Sequence, residues 1–240
     1  MLSIIIPTLN EEKYLPVLLE SIKKQKFQGD YELIVADAGS QDKTIEIVRN
    51  FGGRIVPGGL PAKGRNEGTK TAKGDIFLFL DADLKLPDDF LEKSLKEFNE
   101  RKLGAVSYRL TPQTSKKIIK IGLNLFYNWP ITFFQNVLAY GAMGILVKKE
   151  IFDQVGGFDE SIKLAEDHFF CRQTAKFGKF GIVKSTEIYM FPRRFEKDGY
   201  LRTLLKYFLC FLYTLSGKPV RSDIFKYRFN HYSRIDKKKV

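Results

Sequence analysis

Five apolar residues in a row, Ile76-Phe77-Leu78-Phe79-Leu80, run straight into Asp81-Ala82-Asp83. A strand with one wet face alternates apolar and polar residues, so an unbroken run reads as a strand covered on both faces. Such a strand needs helices above and below it, and the surrounding chain supplies them. Residues 2–7 form an Ile-rich run closed by Pro7, residues 32–37 a second strand, and residues 55–56 a short third. Between them Leu15, Leu18, Leu19 and Ile22 share one helical face, with Pro16 tolerable only in the first turn. Ile45, Val48 and Phe51 make another stripe, stopped by Gly52-Gly53. Residues 64–72 read as a polar helix. Residues 88–101 read as a helix with Phe90, Leu91, Leu95 and Phe98 inward and Asp88 and Asp89 at its positive end. Strands alternating with helices in this way predict an α/β fold, a single doubly wound, mostly parallel (mixed) sheet flanked by helices.

The second half is less regular. Strands are expected at 105–110 and 143–147, a helix at 148–155 ended by Gly156-Gly157, a helix at 167–177 and an extended segment at 181–191. Residues 115–140 mix Lys116, Lys117 and Lys120 with Phe126, Trp129, Phe133 and Phe134, and Pro130 is expected to break that stretch. Residues 200–216 complete the pattern as a C-terminal amphipathic helix. The expected organisation is one main domain over 1–191, in two halves of about 1–110 and about 111–191, then an extension over 192–240.

Composition removes several classes. Cys171 and Cys210 are the only cysteines and His168 and His231 the only histidines in 240 residues. A disulfide scaffold, a four-Cys zinc site and a His-rich metal centre are excluded, so a catalytic metal would rest on carboxylates. Residues 1–10 enter a strand pattern directly, and no secretory leader is expected. The longest apolar stretch, residues 204–215, contains Lys206 and falls short of the roughly 18–20 residues that span a bilayer. The net charge of +12 is concentrated. Residues 1–191 hold 27 Lys and Arg against 24 Asp and Glu, whereas residues 192–240 hold 13 against 4, a net of +9. A step of that size marks a basic tail on a near-neutral body and points to a phosphate-bearing partner.

In open α/β sheets ligands bind beyond the carboxyl ends of the strands. Three polar clusters stand there: Thr8-Leu9-Asn10-Glu11, Asp37-Ala38-Gly39-Ser40 and Asp81-Ala82-Asp83. Alone, an Asp-x-Asp is usually a solvated turn. Just past a buried strand both carboxylates can address one hard cation, Mn²⁺ or Mg²⁺.

Taken in order, five segments resemble the inverting family 2 glycosyltransferases, which have the GT-A fold. They are Ser3-Ile-Ile-Ile-Pro-Thr-Leu-Asn-Glu-Glu12, Val35-Ala-Asp-Ala-Gly-Ser-Gln-Asp-Lys-Thr44, Lys63-Gly-Arg-Asn-Glu-Gly68, Ala72-Lys-Gly-Asp-Ile-Phe-Leu-Phe-Leu-Asp-Ala-Asp83, and Gly156-Gly-Phe-Asp159 with Ala165-Glu-Asp167. The resemblance covers residues 1 to about 180. One departure is Ala38, where members often carry a second adjacent acid. The resemblance implies a nucleotide-sugar donor, a UDP- or GDP-sugar, with Pro7, Thr8, Glu11 and Asp37 at its base and ribose. It puts Arg65 near the diphosphate, Asp83 on the cation with Asp81 shared between cation and sugar, and Asp167 as the general base. His168 beside it is either a packing residue or a contact for metal or acceptor.

Two other readings compete. A nucleotidyltransferase would generally carry a Gly-rich loop after the first strand, where this chain has Asn10-Glu11-Glu12. A nucleic-acid-binding protein would use the basic tail, but that tail shows no zinc spacing and no aromatic sheet motif, and no nucleic-acid partner is expected. Leu201, Leu204, Leu205, Phe208, Leu212 and Leu215, widened by Phe211, follow helical spacing beside Arg193, Arg194, Lys197, Arg202 and Lys206. A basic amphipathic helix of this kind lies in an anionic membrane interface, and the competing assignment is packing on the sheet or in a homodimer. With Trp129 and Tyr127 as a second contact, the expectation is a cytoplasmic enzyme held peripherally at the inner face of the cell membrane. Its acceptor would be lipid-linked or a glycan.

Overall fold

The computed structural model describes residues 1–215, 217 and 219–222. The first strand explains the architecture. β1 (Leu2–Thr8) carries Ile4, Ile5 and Ile6 in sequence, all without solvent exposure. Successive side chains of a strand point to opposite faces, so Ile4 and Ile6 enter one apolar core and Ile5 the other. Two cores on one sheet require two helical layers. Over the first face lie α1 (Leu15–Lys23), α2 (Thr44–Phe51) and α4 (Phe90–Glu100). Over the second lie α3 (Pro61–Lys70), α7 (Lys149–Val155) and α8 (Glu166–Thr174).

The remaining strands are β2 (Tyr31–Asp37), β3 (Arg54–Pro57), β4 (Ile76–Leu80), β5 (Leu84–Lys85), β6 (Ala105–Pro112), β7 (Gly144–Lys148) and β8 (Phe180–Met190). Their order across the sheet is β3-β2-β1-β4-β7-β6-β8-β5. β3, β2, β1 and β4 pair in parallel and β6 pairs in parallel with β8, while β7 and β5 run against their neighbours. The mixed, mostly parallel sheet is the expected one. Because β1, β2 and β4 share a direction, Thr8, Asp37 and Asp81 emerge at one edge.

Residues 117–133 depart from expectation. α5 (Lys117–Leu123), a π-helical turn (Asn124–Asn128) and α6 (Trp129–Phe133) follow one another without interruption. Pro130 is the second residue of α6, directly after the π-helical turn, and it is accommodated there rather than breaking the stretch. The run is moored from inside by Ile119 and Leu123, and by Asn128, whose side chain exchanges two hydrogen bonds with the backbone of Leu110.

After β8 the chain forms a short helix absent from the sequence reading, α9 (Arg193–Asp198), and then α10 (Tyr200–Leu215). Phe195 of α9 is buried in the first core, and Thr203, Cys210 and Thr214 of α10 are buried as well. Arg172 of α8 donates to the Thr214 carbonyl. On α10 Leu205, Leu209 and Leu212 are exposed. The side chains of Leu201, Leu204, Phe208, Phe211 and Leu215, and all of residues 223–240, lie outside the described residues. Among the described residues no helix is long and apolar enough to cross a membrane.

Candidate active site

The edge where a nucleotide is expected is set by two adjacent strand ends, Thr8 and Asp37 being partners in the β1–β2 register. Asp37 is held from four directions. Its Oδ1 accepts the N–H groups of Gly39 (2.9 Å) and Ser40 (2.8 Å), and its Oδ2 accepts the hydroxyls of Thr8 (3.0 Å) and Ser40 (2.5 Å). A side chain tied to its own turn in this way is oriented before any ligand arrives. Pro7, one residue before the end of β1, lies half-buried against α3, and the Glu11 N–H donates to Thr44 Oγ1 at 2.8 Å.

α3 carries Arg65 into the site because it lies unusually close to β1. A Cβ on Gly68 would stand 2.4 Å from Ile5 Cγ2, and one on Gly64 3.0 Å from the Pro7 Cβ. Only glycine permits that approach. Arg65 is 3% exposed; its Nη1 donates to Glu166 Oε1 at 2.7 Å and its Nη2 to Asp81 Oδ1 at 2.8 Å. The Phe158 ring lies under the guanidinium, 5.2 Å from centroid to Cζ. Next to it Asn66 exchanges hydrogen bonds with Phe158, its Oδ1 accepting from the N–H and its Nδ2 donating to the C=O, both at 2.9 Å. Arg65 and Asn66 therefore stitch the loop after Gly156-Gly157 to the sheet edge. The expected fork onto phosphate oxygens meets a buried side chain whose Nη1 and Nη2 already face carboxylates. Glu166, named beside Asp167 but given no role from sequence, is the missing partner. A buried arginine needs acidic company, and that requirement was the available signal.

Glu166 and Asp167 open α8 directly after Ala165, which holds a left-handed backbone (φ 62°) that residues with a Cβ rarely adopt. Strain of this kind persists where the surroundings fix it and is common at working sites. Burial pushes the Asp167 carboxyl up to about 6, against the opposing pull of Arg65. Glu166 is also raised by burial, with the neighbouring Asp167 charge adding to it. His168 is sandwiched by packing: Tyr140 stacks on its ring at 3.5 Å and its Nδ1 meets the Gly141 carbonyl. Burial drives its value down to about 4, so the imidazole is neutral near pH 7.

Asp83 is 8% exposed and stands 2.8 Å, through its Oδ2, from the Nε of Arg193. The Nη1 and Nη2 of the same guanidinium grip Glu11 at 3.0 and 2.8 Å. The sequence reading saw Arg193 only as a basic flank of the terminal helix. Nothing local to Pro192-Arg193 signals a contact with Glu11, 182 positions away, because the turn that delivers it follows from β8 pairing in parallel with β6. Burial raises Glu11 to about 7, with Arg193 opposing the rise.

Asp81 and Asp83 offer hard oxygen donors of the kind that hold Mn²⁺ or Mg²⁺. Among the described residues no group of three or more His, Cys, Asp or Glu side chains converges on one point. The donor set thus fits a cation shared with a substrate's phosphates, rather than one caged by protein alone.

Residues 3–156 match the family model described as glycosyl transferase family 2. The chain belongs to glycosyl transferase family 2. It is 29% identical over 184 residues to the poly(ribitol-phosphate) beta-N-acetylglucosaminyltransferase TarS of Staphylococcus aureus, a stretch covering 70% of this chain and 31% of that protein. It is 27% identical over 233 residues to a Methanococcus voltae dolichyl N-acetyl-alpha-D-glucosaminyl phosphate 3-beta-D-2,3-diacetamido-2,3-dideoxy-beta-D-glucuronosyltransferase, covering 87% of this chain and 69% of that one. Among solved structures, the mannosyltransferase PcManGT from Pyrobaculum calidifontis, in complex with GDP-Man and Mn²⁺, superposes with a TM-score of 0.68 at 23% identity. That match covers 91% of this chain and 65% of PcManGT. TarS 1–349 in complex with UDP-GlcNAc gives a TM-score of 0.64 at 23% identity, covering 80% and 58%. These likenesses establish the GT-A fold. The chain spans about a third of the length of TarS.

Proposed function

We propose that this chain is an inverting, metal-dependent glycosyltransferase moving a sugar from a UDP- or GDP-sugar to a hydroxyl or phosphate of a lipid-linked or glycan acceptor. One observation carries the reading: Arg65 ties Asp81, at the strand edge where a nucleotide-sugar would lie, to Glu166 beside Asp167. Donor and acceptor functions thus share one charge network. Asp37, Thr8, Pro7 and Glu11 would receive the base and ribose. Asp81 and Asp83 would hold the cation, which when bound neutralises charge on the departing nucleoside diphosphate. Arg65 acts on the diphosphate region through Asp81, fixing the carboxylate's position and charge.

Asp167 is assigned the acceptor's proton. In a single displacement the acceptor attacks from the face opposite the leaving group, and a carboxylate there must accept the hydroxyl proton. A base held near 6 is ionised at neutral pH yet strong enough for the task. His168, neutral and packed on Tyr140, supports the segment from behind.

The ligands bound in the solved neighbours, UDP-GlcNAc and GDP-Man, support the donor class. The dolichyl-linked substrate named for the Methanococcus voltae relative supports a lipid-linked acceptor. The protein's own surface supports a peripheral position on an anionic membrane, at the inner face of the cell membrane. Ile118, Ile121, Leu125, Trp129 and Phe133 form an exposed row at helical spacing along residues 117–133, and Lys116, Lys117 and Lys120 border it. Lys116 also lies over the ring of Tyr200, 4.6 Å from its centroid, joining this row to α10 with its exposed Leu205, Leu209 and Leu212. An apolar patch rimmed by lysines fits an anionic bilayer.

The test is product stereochemistry together with Asp167→Asn. Proton NMR should show an anomeric configuration opposite to the donor's. Asp167→Asn should lose about a thousandfold or more in turnover, since base catalysis supplies roughly 10²–10⁴, while still binding donor. Retained configuration would refute the single displacement. An acceptor that is already an anionic phosphate needs no base, and a mild Asp167→Asn effect would assign that acceptor.

A further inference from the structure

Glu11 and Asp83 have been placed in donor binding, yet one guanidinium already satisfies both. Arg193 takes both oxygens of Glu11 and faces Oδ2 of Asp83 at 2.8 Å. Its guanidinium also lies against the Tyr14 ring, 5.3 Å from its centroid. The three side chains are 10–17% exposed, so solvent screens these charges little. Two carboxylates crowded at this edge repel one another, and a guanidinium is well shaped to neutralise them because it offers donors in several directions.

The bearer of that guanidinium is attached in a particular way. α9 has six residues, preceded by Pro192 and followed by Gly199 in a positive-φ conformation (φ 86°) that favours glycine. On the near side Phe191 donates its N–H to the Asp83 carbonyl at 3.3 Å and its ring lies 5.0 Å from that of Tyr14. On the far side Phe195 is anchored in the core. α9 is thus a short strap across the nucleotide edge, pinned at both sides, with Arg193 as its contact to the carboxylates.

We propose that Arg193 is a built-in counter-cation that competes with the divalent cation for Asp83, and that α9 is the strap that carries it away when the cation binds. This rests on the assignment of Asp83 as a cation ligand. A guanidinium 2.8 Å from Oδ2 and a divalent ion on the same carboxylate repel each other, so each weakens the other's hold on Asp83. Arg193 keeps Asp83 and Glu11 paired until a cation exchanges for it, and the freed Glu11 then becomes available to the nucleoside.

Mn²⁺ binding to the full chain, read by loss of the free-ion EPR signal, tests this without any turnover. Arg193→Met removes the competitor while keeping an apolar stem against Tyr14, and Mn²⁺ should bind about tenfold or more tightly, as expected when a charge-assisted contact no longer has to be broken. Arg193→Lys, a charge without the fork, should fall between. Equal or weaker Mn²⁺ binding by Arg193→Met than by wild type overturns the proposal. Absence of Mn²⁺ binding in both proteins overturns it together with the metal assignment, and that result is distinguishable because the wild-type titration is itself silent. Wild-type amide exchange over residues 193–199 provides a second reading that needs no variant. It should speed up at saturating Mn²⁺, and unchanged exchange refutes the strap.

Discussion

Replacing Arg65 by methionine isolates the charge that joins the two halves of the site. The side chain is 4% exposed and lies between Glu166, 9% exposed, and Asp81, 31% exposed. Removing one partner of a buried ion pair costs about 3–5 kcal/mol, because the charge left behind keeps its desolvation penalty and loses its compensation. For a chain of this length each kcal/mol lowers Tm by about 2–4 °C, which gives a loss of about 6–20 °C. The pH dependence follows from Glu166, already raised above the ordinary carboxylate range by burial and by Asp167, with Arg65 pulling it back. Without Arg65 it rises further. A carboxyl whose folded value exceeds its unfolded one favours the fold fully below the unfolded value, and that contribution disappears as pH climbs through the folded value. The deficit of Arg65→Met should therefore be largest at about pH 8 and shrink towards about pH 5. Thermal melts at the two pH values measure it, and adding Glu166→Gln to the variant should restore part of the loss at about pH 8. A deficit under about 2 °C, or one equal at both pH values, would refute the reasoning.

Turnover with a hydroxyl acceptor should fall about tenfold per pH unit below about 6, where Asp167 takes up its proton, and be flat above about 7; a profile without that acid limb in the wild type contradicts the base assignment. Flotation with anionic liposomes at low salt should recover the wild-type chain, whereas Ile121→Ser with Trp129→Ser, both exposed, should stay in the soluble fraction with an unchanged Tm. Failure of the wild type to float, with a concentration-dependent dimer in its place, would assign the row to subunit packing.

The fold was legible because its strands are short and continuous. Ile4-Ile5-Ile6 and Phe77-Leu78-Phe79-Leu80 can only divide between two cores, and that forces the doubly covered sheet. The carboxylates at strand ends were legible for the same reason, since each leaves the apolar register together with its strand. Long-range partners were not. Arg65 meets Glu166 across 101 positions and Arg193 meets Glu11 across 182, and no local periodicity encodes such distances. The terminal helix was read from an apolar stripe whose outward and inward sides cannot be told apart by spacing. The exposure of Leu205, Leu209 and Leu212 and the burial of Cys210 and Thr214 depend on where the rest of the fold lies, as the contact of Arg172 with Thr214 illustrates. Residues 117–133 were misread at Pro130 because nothing in the spacing marks the π-helical turn that directly precedes α6.

Binding of a metal-assisted nucleotide-sugar at the Asp81–Asp83 edge is tested by release of nucleoside diphosphate from a panel of UDP- and GDP-sugars, with Mn²⁺ or with EDTA, by the wild type and by Asp83→Ala and Asp83→Asn. Mn²⁺-dependent release from a member of the panel is expected, abolished by EDTA and by Asp83→Ala. Asp83→Asn should be nearly as damaging, because the amide keeps the shape but not the charge that a cation requires. Full turnover by Asp83→Ala in the presence of chelator would contradict it.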